Sequence, residues 1–173
     1  RVSFSRARGF TLDEYVGLPA EHPERYRNVI DTAFVSRVDF PPGAVAGPDG
    51  LAGDIPAACS AYEEAIRAAG GIDLQLLGIG QDGHIGFNEP LSALFSRTRQ
   101  KALTPTTIAQ NACYFDNDPS QVPRRAITMG VGTILECERC LVLVTGSRKA
   151  EILAKAVEGP ATAMVTATAT QFH

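Results

Sequence analysis

No stretch of this sequence approaches the roughly 18 consecutive apolar residues of a membrane-spanning helix, so no membrane partner is expected. No signal peptide opens it. Neither charge is in marked excess: 16 Lys and Arg against 19 Asp and Glu leave −3, with a pI of about 5.6. That balance offers no surface for a polyanion, so nucleic acid is not an expected partner. Histidine is scarce, with three residues: His22, His84 and His173. The zinc spacings HxH and HExxH and the phosphate-binding pattern GxxxxGK[ST] are absent. Four cysteines, at 59, 113, 137 and 140, lack the spacing of a disulfide framework. They point to a reducing, cytoplasmic setting. Cys137 and Cys140 are three residues apart, but no second Cys/His pair exists to complete a zinc site. They read as two small apolar residues flanking the entry to a strand.

What is present suits a soluble globular protein. The 173 residues fit one domain with a real core, and the 45 % hydrophobic and 20 % charged fractions are ordinary for that class. Residues 23–34 carry Tyr26, Ile30, Ala33 and Phe34 at helical spacing after Pro23. Residues 41–54 are rich in Gly and Pro and read as loop. Asp54 is placed to cap a helix whose apolar face is Ile55, Cys59, Tyr62, Ile66 and Ala69, with Gly70-Gly71 as its stop. Residues 72–80 read as a strand. Residues 104–123 read as a long polar loop of the kind that serves as a lid, with the lid segment spanning about 103–123. "CLVLVTG", residues 140–146, reads as a buried parallel strand, followed by a helix that ends at Gly159. Alternating strands and helices predict an α/β fold with an open, mostly parallel sheet flanked by helices.

Three strand-to-loop junctions fall where ligands bind in such sheets, beyond the carboxyl ends of strands. Thr145-Gly146-Ser147-Arg148-Lys149 offers backbone N–H groups and an ammonium to an anion. It reads equally well as a capped helix with a solvated lysine. "GIGQDGHIGFNEP", residues 78–90, brings Asp82, His84 and Glu89 together among Gly78, Gly80, Gly83 and Gly86, which let the backbone approach a ligand. A metal, acid/base chemistry or a satisfied loop histidine would each fit. Missing partner ligands weaken the metal, and a histidine steadied by a carboxylate suits proton transfer better. Asp13-Glu14 follows a strand expected within residues 2–10. A carboxylate desolvated there is basic enough to abstract a proton.

Together, "LDEYVGLP", "GIGQDGHIGFNEP", "SRTRQK", "YFDNDPSQVPRRAITMGVGTI" and "GSRKA" resemble the signature segments of the glucosamine-6-phosphate deaminase (isomerase) family, in order and spacing, over essentially the whole chain. The related 6-phosphogluconolactonases share the GxDGH core but run on into an ASLFP-like segment; here GFNEP follows. The resemblance implies a Rossmann-like sugar-phosphate isomerase/deaminase fold. It implies conversion of glucosamine 6-phosphate and water to fructose 6-phosphate and ammonia, in amino-sugar catabolism, by a cytoplasmic homo-oligomer. By motif position, Asp13 matches the base that moves a proton between C2 and C1. His84 matches the residue that opens the pyranose ring, and Asp82 and Glu89 match the carboxylates that orient it. Lys149 matches a phosphate ligand, with Gly78, Gly80 and Gly83 lining the substrate. Ser92, Arg99 and Lys101 match positions that bind an amino-sugar phosphate activator in some members. No metal and no organic cofactor are implied.

The sequence departs from the family in two places. Cys113, in Asn111-Ala112-Cys113-Tyr114-Phe115, stands where the family's lid carries an arginine for the substrate phosphate. A neutral thiol cannot replace a bidentate cation, and one lost charge-assisted contact costs roughly 1.5–3 kcal/mol of binding. Family chains also begin earlier, with a strand and a Gly/Thr-rich phosphate loop, and continue past the final "QFH", so this sequence reads as an excerpt of a longer one. Two rival functions stay open: a non-catalytic sugar-phosphate sensor, and a 6-phosphogluconolactonase-like hydrolase.

Overall fold

Asp54 ends a Gly/Pro-rich stretch, and its side chain accepts from the backbone N–H of Ala57 at 2.9 Å. This cap starts α2 (Ile55–Ala68) in the computed structural model, which describes residues 2–173. The apolar stripe falls as its spacing predicts, with Cys59, Tyr62 and Ile66 buried and Ile55 and Ala69 part-buried. The helix closes with the Gly71 N–H donating to Ile66 O and the Gly70 N–H to Arg67 O, both at 3.0 Å. This pair of bonds satisfies carbonyls that a helix end otherwise leaves bare.

The chain is α/β and divides into two compact units: residues 1–62 with 100–127, and residues 63–99 with 128–173. The first unit holds two small sheets. β1 (Gly9–Phe10) pairs in parallel with β3 (Val45–Ala46), and β2 (Asp13–Tyr15), β6 (Arg125–Thr128) and β5 (Arg99–Ala102) form a sheet in the order β2–β6–β5. α1 (Tyr26–Ala33) is shorter than the predicted 23–34. Its residue before the first turn, Arg25, gives no side-chain cap. Glu14 supplies one instead, and is 1 % exposed. An aromatic group of Phe4, Phe34 and Phe40 closes the other end of this unit, with ring centroids 5.0–6.0 Å apart.

Several expectations for this unit need correction. The strand expected within residues 2–10 is only Gly9–Phe10, and Asp13 opens β2 rather than trailing a strand. The Gly/Pro-rich stretch 41–54 contains β3, because two residues suffice for a ladder when the partner is already fixed. The polar segment 104–123 contains α3 (Pro105–Asn111) and one 3-10 turn, Ala112–Tyr114. Its signal was local: Thr104 accepts from the Thr107 N–H at 3.2 Å, and Pro105 occupies the first helical position, where a missing N–H costs nothing.

In the second unit, β4 (Gln75–Leu77) pairs in parallel with β7 (Cys140–Val142), Leu76 standing opposite Leu141. The ladder is shorter than either predicted strand. It is also less buried: Leu74, Leu76, Leu141 and Leu143 are 45–60 % exposed, while Gln75 and Leu77 face inward. The core of this unit is α4 (Val131–Leu135), with Val131 and Ile134 fully buried, together with the 3-10 stretch Thr166–Phe172. α5 (Ala150–Glu158) buries Ile152 and Ala156. Among the described residues, no helix is long and apolar enough to cross a membrane.

Glu63 ties three segments of this unit together. Its buried carboxylate accepts from the Thr98 N–H at 2.8 Å, from both the Thr98 and Thr133 hydroxyls, and from the Arg97 guanidinium at 2.6 Å. Arg97 also reaches Glu136. Replacing Glu63 with Ala leaves four donor groups without their acceptor. The expected loss is about 3 kcal/mol of unfolding free energy, read from urea denaturation.

Candidate active site

β4 and β7 are parallel, so the segments that follow them leave the same sheet edge. One begins at Gly78 and carries the histidine; the other runs through Gly146 to the 3-10 turn Ser147–Lys149. They are joined directly, since Lys149 Nζ donates to Ile79 O at 2.6 Å. An ammonium has three donors, so this contact sets the direction of the side chain without exhausting it. Thr145, Gly146 and Ser147 are exposed at the start of the turn.

Within the first of these segments His84 Nδ1 lies 2.6 Å from Asp82 Oδ1 and 3.6 Å from Glu89 Oε2. The Asp82 carboxylate also accepts the His84 backbone N–H at 3.2 Å, a local turn that the D-x-H spacing favours. The two carboxylates thus lie on the side of one imidazole nitrogen, close to it but without hydrogen-bond alignment at Nδ1. Gly80 makes the arrangement possible. A Cβ there would overlap Cε1, Nδ1 and Nε2 of His84, so the ring occupies the space a side chain would take. Gly83, at φ +88°, is close-packed as well, against Val165 Cγ1 and Ile152. The room left by these two glycines is filled by protein side chains. Gly78 has nothing within 4 Å of its Cβ position.

Asn88 holds the far end of the segment. It is fully buried, its amide donates to Ile85 O at 2.9 Å and Met129 O at 2.8 Å, and its Oδ1 accepts from Arg99 at 2.9 Å. Sequence reasoning passed over Asn88, although an amide inside a glycine-rich loop is the usual device for satisfying buried carbonyls. Asp82, His84 and Glu89 also have ligand atoms within 4.8 Å of one another, so a cation would find three donors. Of the three activator positions, Ser92 is buried and Arg99 is occupied by Asn88; both belong to the second unit, and Lys101 to the first.

Asp13 belongs to the first unit. Burial pushes its carboxyl up to about 7, and the neighbouring charge of Glu14 adds to the rise. Around it stand side chains that the sequence did not single out. Tyr15 and Tyr26 stack at 4.9 Å, the Tyr26 hydroxyl donates to the Tyr15 oxygen at 3.3 Å, and Asn111 donates to the same oxygen at 2.8 Å. Burial and the charge of Asp13 push the Tyr26 phenol far above its ordinary range. α3 is thereby anchored beside Asp13 through Asn111. Two residues further on, Cys113 is exposed, its thiol donating to Gln110 O at 3.3 Å. Arg124 and Arg125 are also exposed.

No disulfide joins the four cysteines. Burial pushes Cys137 up, and it pushes Cys140 up to about 11. Such thiols stay protonated at neutral pH, which makes them poor nucleophiles and poor metal ligands.

A carboxyl raised from 3.8 to about 7 keeps its proton in the folded protein where the unfolded chain has released it. Stability therefore falls as pH rises through that window. Asp13→Asn removes the dependence. It should be more stable than the parent at pH 8, by on the order of 1–2 kcal/mol, with the difference vanishing towards pH 4. Urea denaturation at the two pH values reads this.

Comparison with known proteins places the chain. The family described as glucosamine-6-phosphate isomerases/6-phosphogluconolactonase matches residues 1–172. A protein of Mycolicibacterium smegmatis named glucosamine-6-phosphate deaminase is 63 % identical over 173 residues, which are 100 % of this chain and 66 % of the relative. One of the same name from Beutenbergia cavernae is 57 % identical over 172 residues, 99 % of this chain and 66 % of the relative. The chain thus spans just under two thirds of these relatives' length. A solved structure of a monomeric glucosamine-6-phosphate deaminase superposes with a TM-score of 0.95 at 40 % identity, covering 99 % of this chain and 70 % of that one. The 6-phosphogluconolactonase of Thermotoga maritima shares the fold, with a TM-score of 0.69 at 20 % identity over 96 % of this chain and 70 % of its own. With its signature segments, its parallel α/β architecture and these matches in agreement, the chain belongs to the glucosamine-6-phosphate isomerase/6-phosphogluconolactonase family.

Proposed function

We propose that this chain carries the catalytic residues of a glucosamine-6-phosphate deaminase, which turns glucosamine 6-phosphate and water into fructose 6-phosphate and ammonia. The observation that carries the reading is His84 with its Nδ1 held 2.6 Å from Asp82, beside the buried Glu89. The names borne by relatives at 57–63 % identity support it.

The substrate rests as a closed pyranose, so the first task is ring opening. His84, steadied at Nδ1, has Nε2 for the sugar: it takes the anomeric hydroxyl proton and returns one to the ring oxygen. Asp82 and Glu89, close to Nδ1, stabilise the transient imidazolium. Asp13 then removes the proton from C2; the electrons of that bond form the C1–C2 double bond while the C1 carbonyl pair moves onto O1, which takes a proton from water. Returning the proton to C1 leaves an imine at C2. Water adds there, ammonia leaves, and the ketose remains. A carboxyl raised to about 7 suits this task, because a base near the working pH both accepts and returns a proton readily. Lys149 and the N–H groups beginning at Gly146 receive the phosphate, and Gly78, Gly80 and Gly83 shape the backbone near the sugar. Segment 103–123 acts as the lid. Ser92, Arg99 and Lys101 are each candidate contacts for an activator, and the protein works in the cytoplasm as a homo-oligomer, an assembly that light scattering measures directly.

Incubation with glucosamine 6-phosphate should release ammonia and fructose 6-phosphate in equal amounts. A folded sample that yields neither would sink the reading, and hydrolysis of 6-phosphogluconolactone in its place would move the chain to the lactonase side. Asp13→Asn should lose exchange of the C2 proton with solvent; persistent exchange means another residue is the base. Cys113→Arg, restoring a cation to the lid, should lower KM for the phosphorylated sugar about tenfold with kcat little changed.

A further inference from the structure

Glu14 is a carboxylate almost wholly removed from water. Its Oε1 accepts the N–H groups of Tyr15 at 2.9 Å and Tyr26 at 3.0 Å, and its Oε2 accepts that of Arg27 at 3.0 Å. Two of these three donors belong to the first turn of α1, where a helix presents free N–H groups and a partial positive charge. An ordinary cap would come from the residue just before the helix, as a short Ser, Asp or Asn. Here that residue is Arg25, which caps nothing, and the acceptor comes from 12 residues upstream on β2. The chain therefore places a charged group, longer than capping requires, at the position next to Asp13 on β2. Resting on the deaminase reading, we propose that Glu14 is a positioning residue for Asp13: it fastens β2 to the N-terminus of α1 and sets a negative charge beside the carboxylate that takes the proton.

The surroundings favour this over a cap alone. Tyr26 and Tyr15 also feel the charge of Asp13, and both phenols are pushed upward, so neither supplies charge near neutral pH. Arg25 Nε lies 3.7 Å from Glu14 Oε2, the cation nearest to that carboxylate among the described residues. Arg27 turns away, to Asp31 at 3.1 Å and to Val45 O. On β6, next to β2, Arg125 is exposed. Glu14 is thus the near charge that Asp13 feels, adding to the effect of burial. Loss of the charge lets Asp13 ionise at lower pH and makes it a weaker base.

The test is a carbon-13 NMR titration of the Asp13 carboxyl in the parent protein, in Glu14→Gln and in Glu14→Asp. It needs no turnover and so stands apart from the deaminase reading. The parent midpoint is expected at about 7. Glu14→Gln keeps the shape but not the charge, and its midpoint should move to lower pH. Glu14→Asp keeps the charge and should titrate as the parent does, which also covers the case where Glu14→Gln fails to fold. A midpoint unmoved in Glu14→Gln overturns the proposal. So does a midpoint displaced in Glu14→Asp, because charge would then not be the cause. In turnover, the acid limb of kcat/KM should move the same way in Glu14→Gln, with kcat on the plateau falling roughly 3- to 10-fold. If the titrations behave as stated while the parent turns over no glucosamine 6-phosphate, the deaminase reading falls and the placement of Glu14 stands.

Discussion

A carboxylate taken out of water must find donors, and this structure is organised by how it meets that demand. Glu63 is met in full, by two hydroxyls, a backbone N–H and a guanidinium. Its oxygens join α2, the segment at residues 97–98 and α4 of the second unit. Glu14 is met by backbone N–H groups alone, which joins β2 to α1 in the first. Asp13 is the contrast: its burial and its charged neighbour hold the proton on it to about 7. Glu63 and Glu14 thus serve to join segments, while Asp13 is the carboxyl whose proton is held to near neutral pH. A buried acid whose ionisation is uphill is a base in waiting.

The same logic separates the roles around His84. Asp82 accepts the His84 backbone N–H, which fixes the turn, and its carboxylate stands 2.6 Å from Nδ1. Gly80 contributes by having no side chain, and Asn88 by spending its amide on carbonyls that the loop would otherwise strand. Lys149 then links the histidine segment to the turn after β7. The parallel register of β4 and β7 makes that link possible, because it sends both segments off one edge.

Much of this was legible in the residues. Asp54 as a cap, the Cys59–Tyr62–Ile66 stripe and the Gly70-Gly71 stop are local signals with local causes, and α2 follows them. The Asp82–His84–Glu89 grouping was readable because three chemical residues lay within eight positions. What escaped was non-local. Glu14 reaches α1 across 12 residues and Asn111 reaches Tyr15 across 96, and no spacing rule points to either. α3 was missed for another reason: its Thr and Asn residues favour loops, and only the Thr104-Pro105 cap tips the balance. The strands are shorter than their apolar runs because hydrogen bonding to the partner, not apolarity, sets their ends.

The outer face of β4 and β7 has a colloidal consequence. Leu76 and Leu141 on the strands, and Leu74 and Leu143 flanking them, stand 45–60 % exposed, while Gln75 and Leu77 are buried and Cys140 and Val142 part-buried. Parallel strands ordinarily have both faces covered. In solution the unit is then a particle with two opposed ranges of force. A net charge of −3 keeps copies apart at distances comparable to the Debye length, about 8 Å at physiological salt, while the leucines attract only at contact. Salt shortens the first range and leaves the second untouched. Between two such uncovered faces, added salt therefore removes the repulsion and leaves the contact attraction.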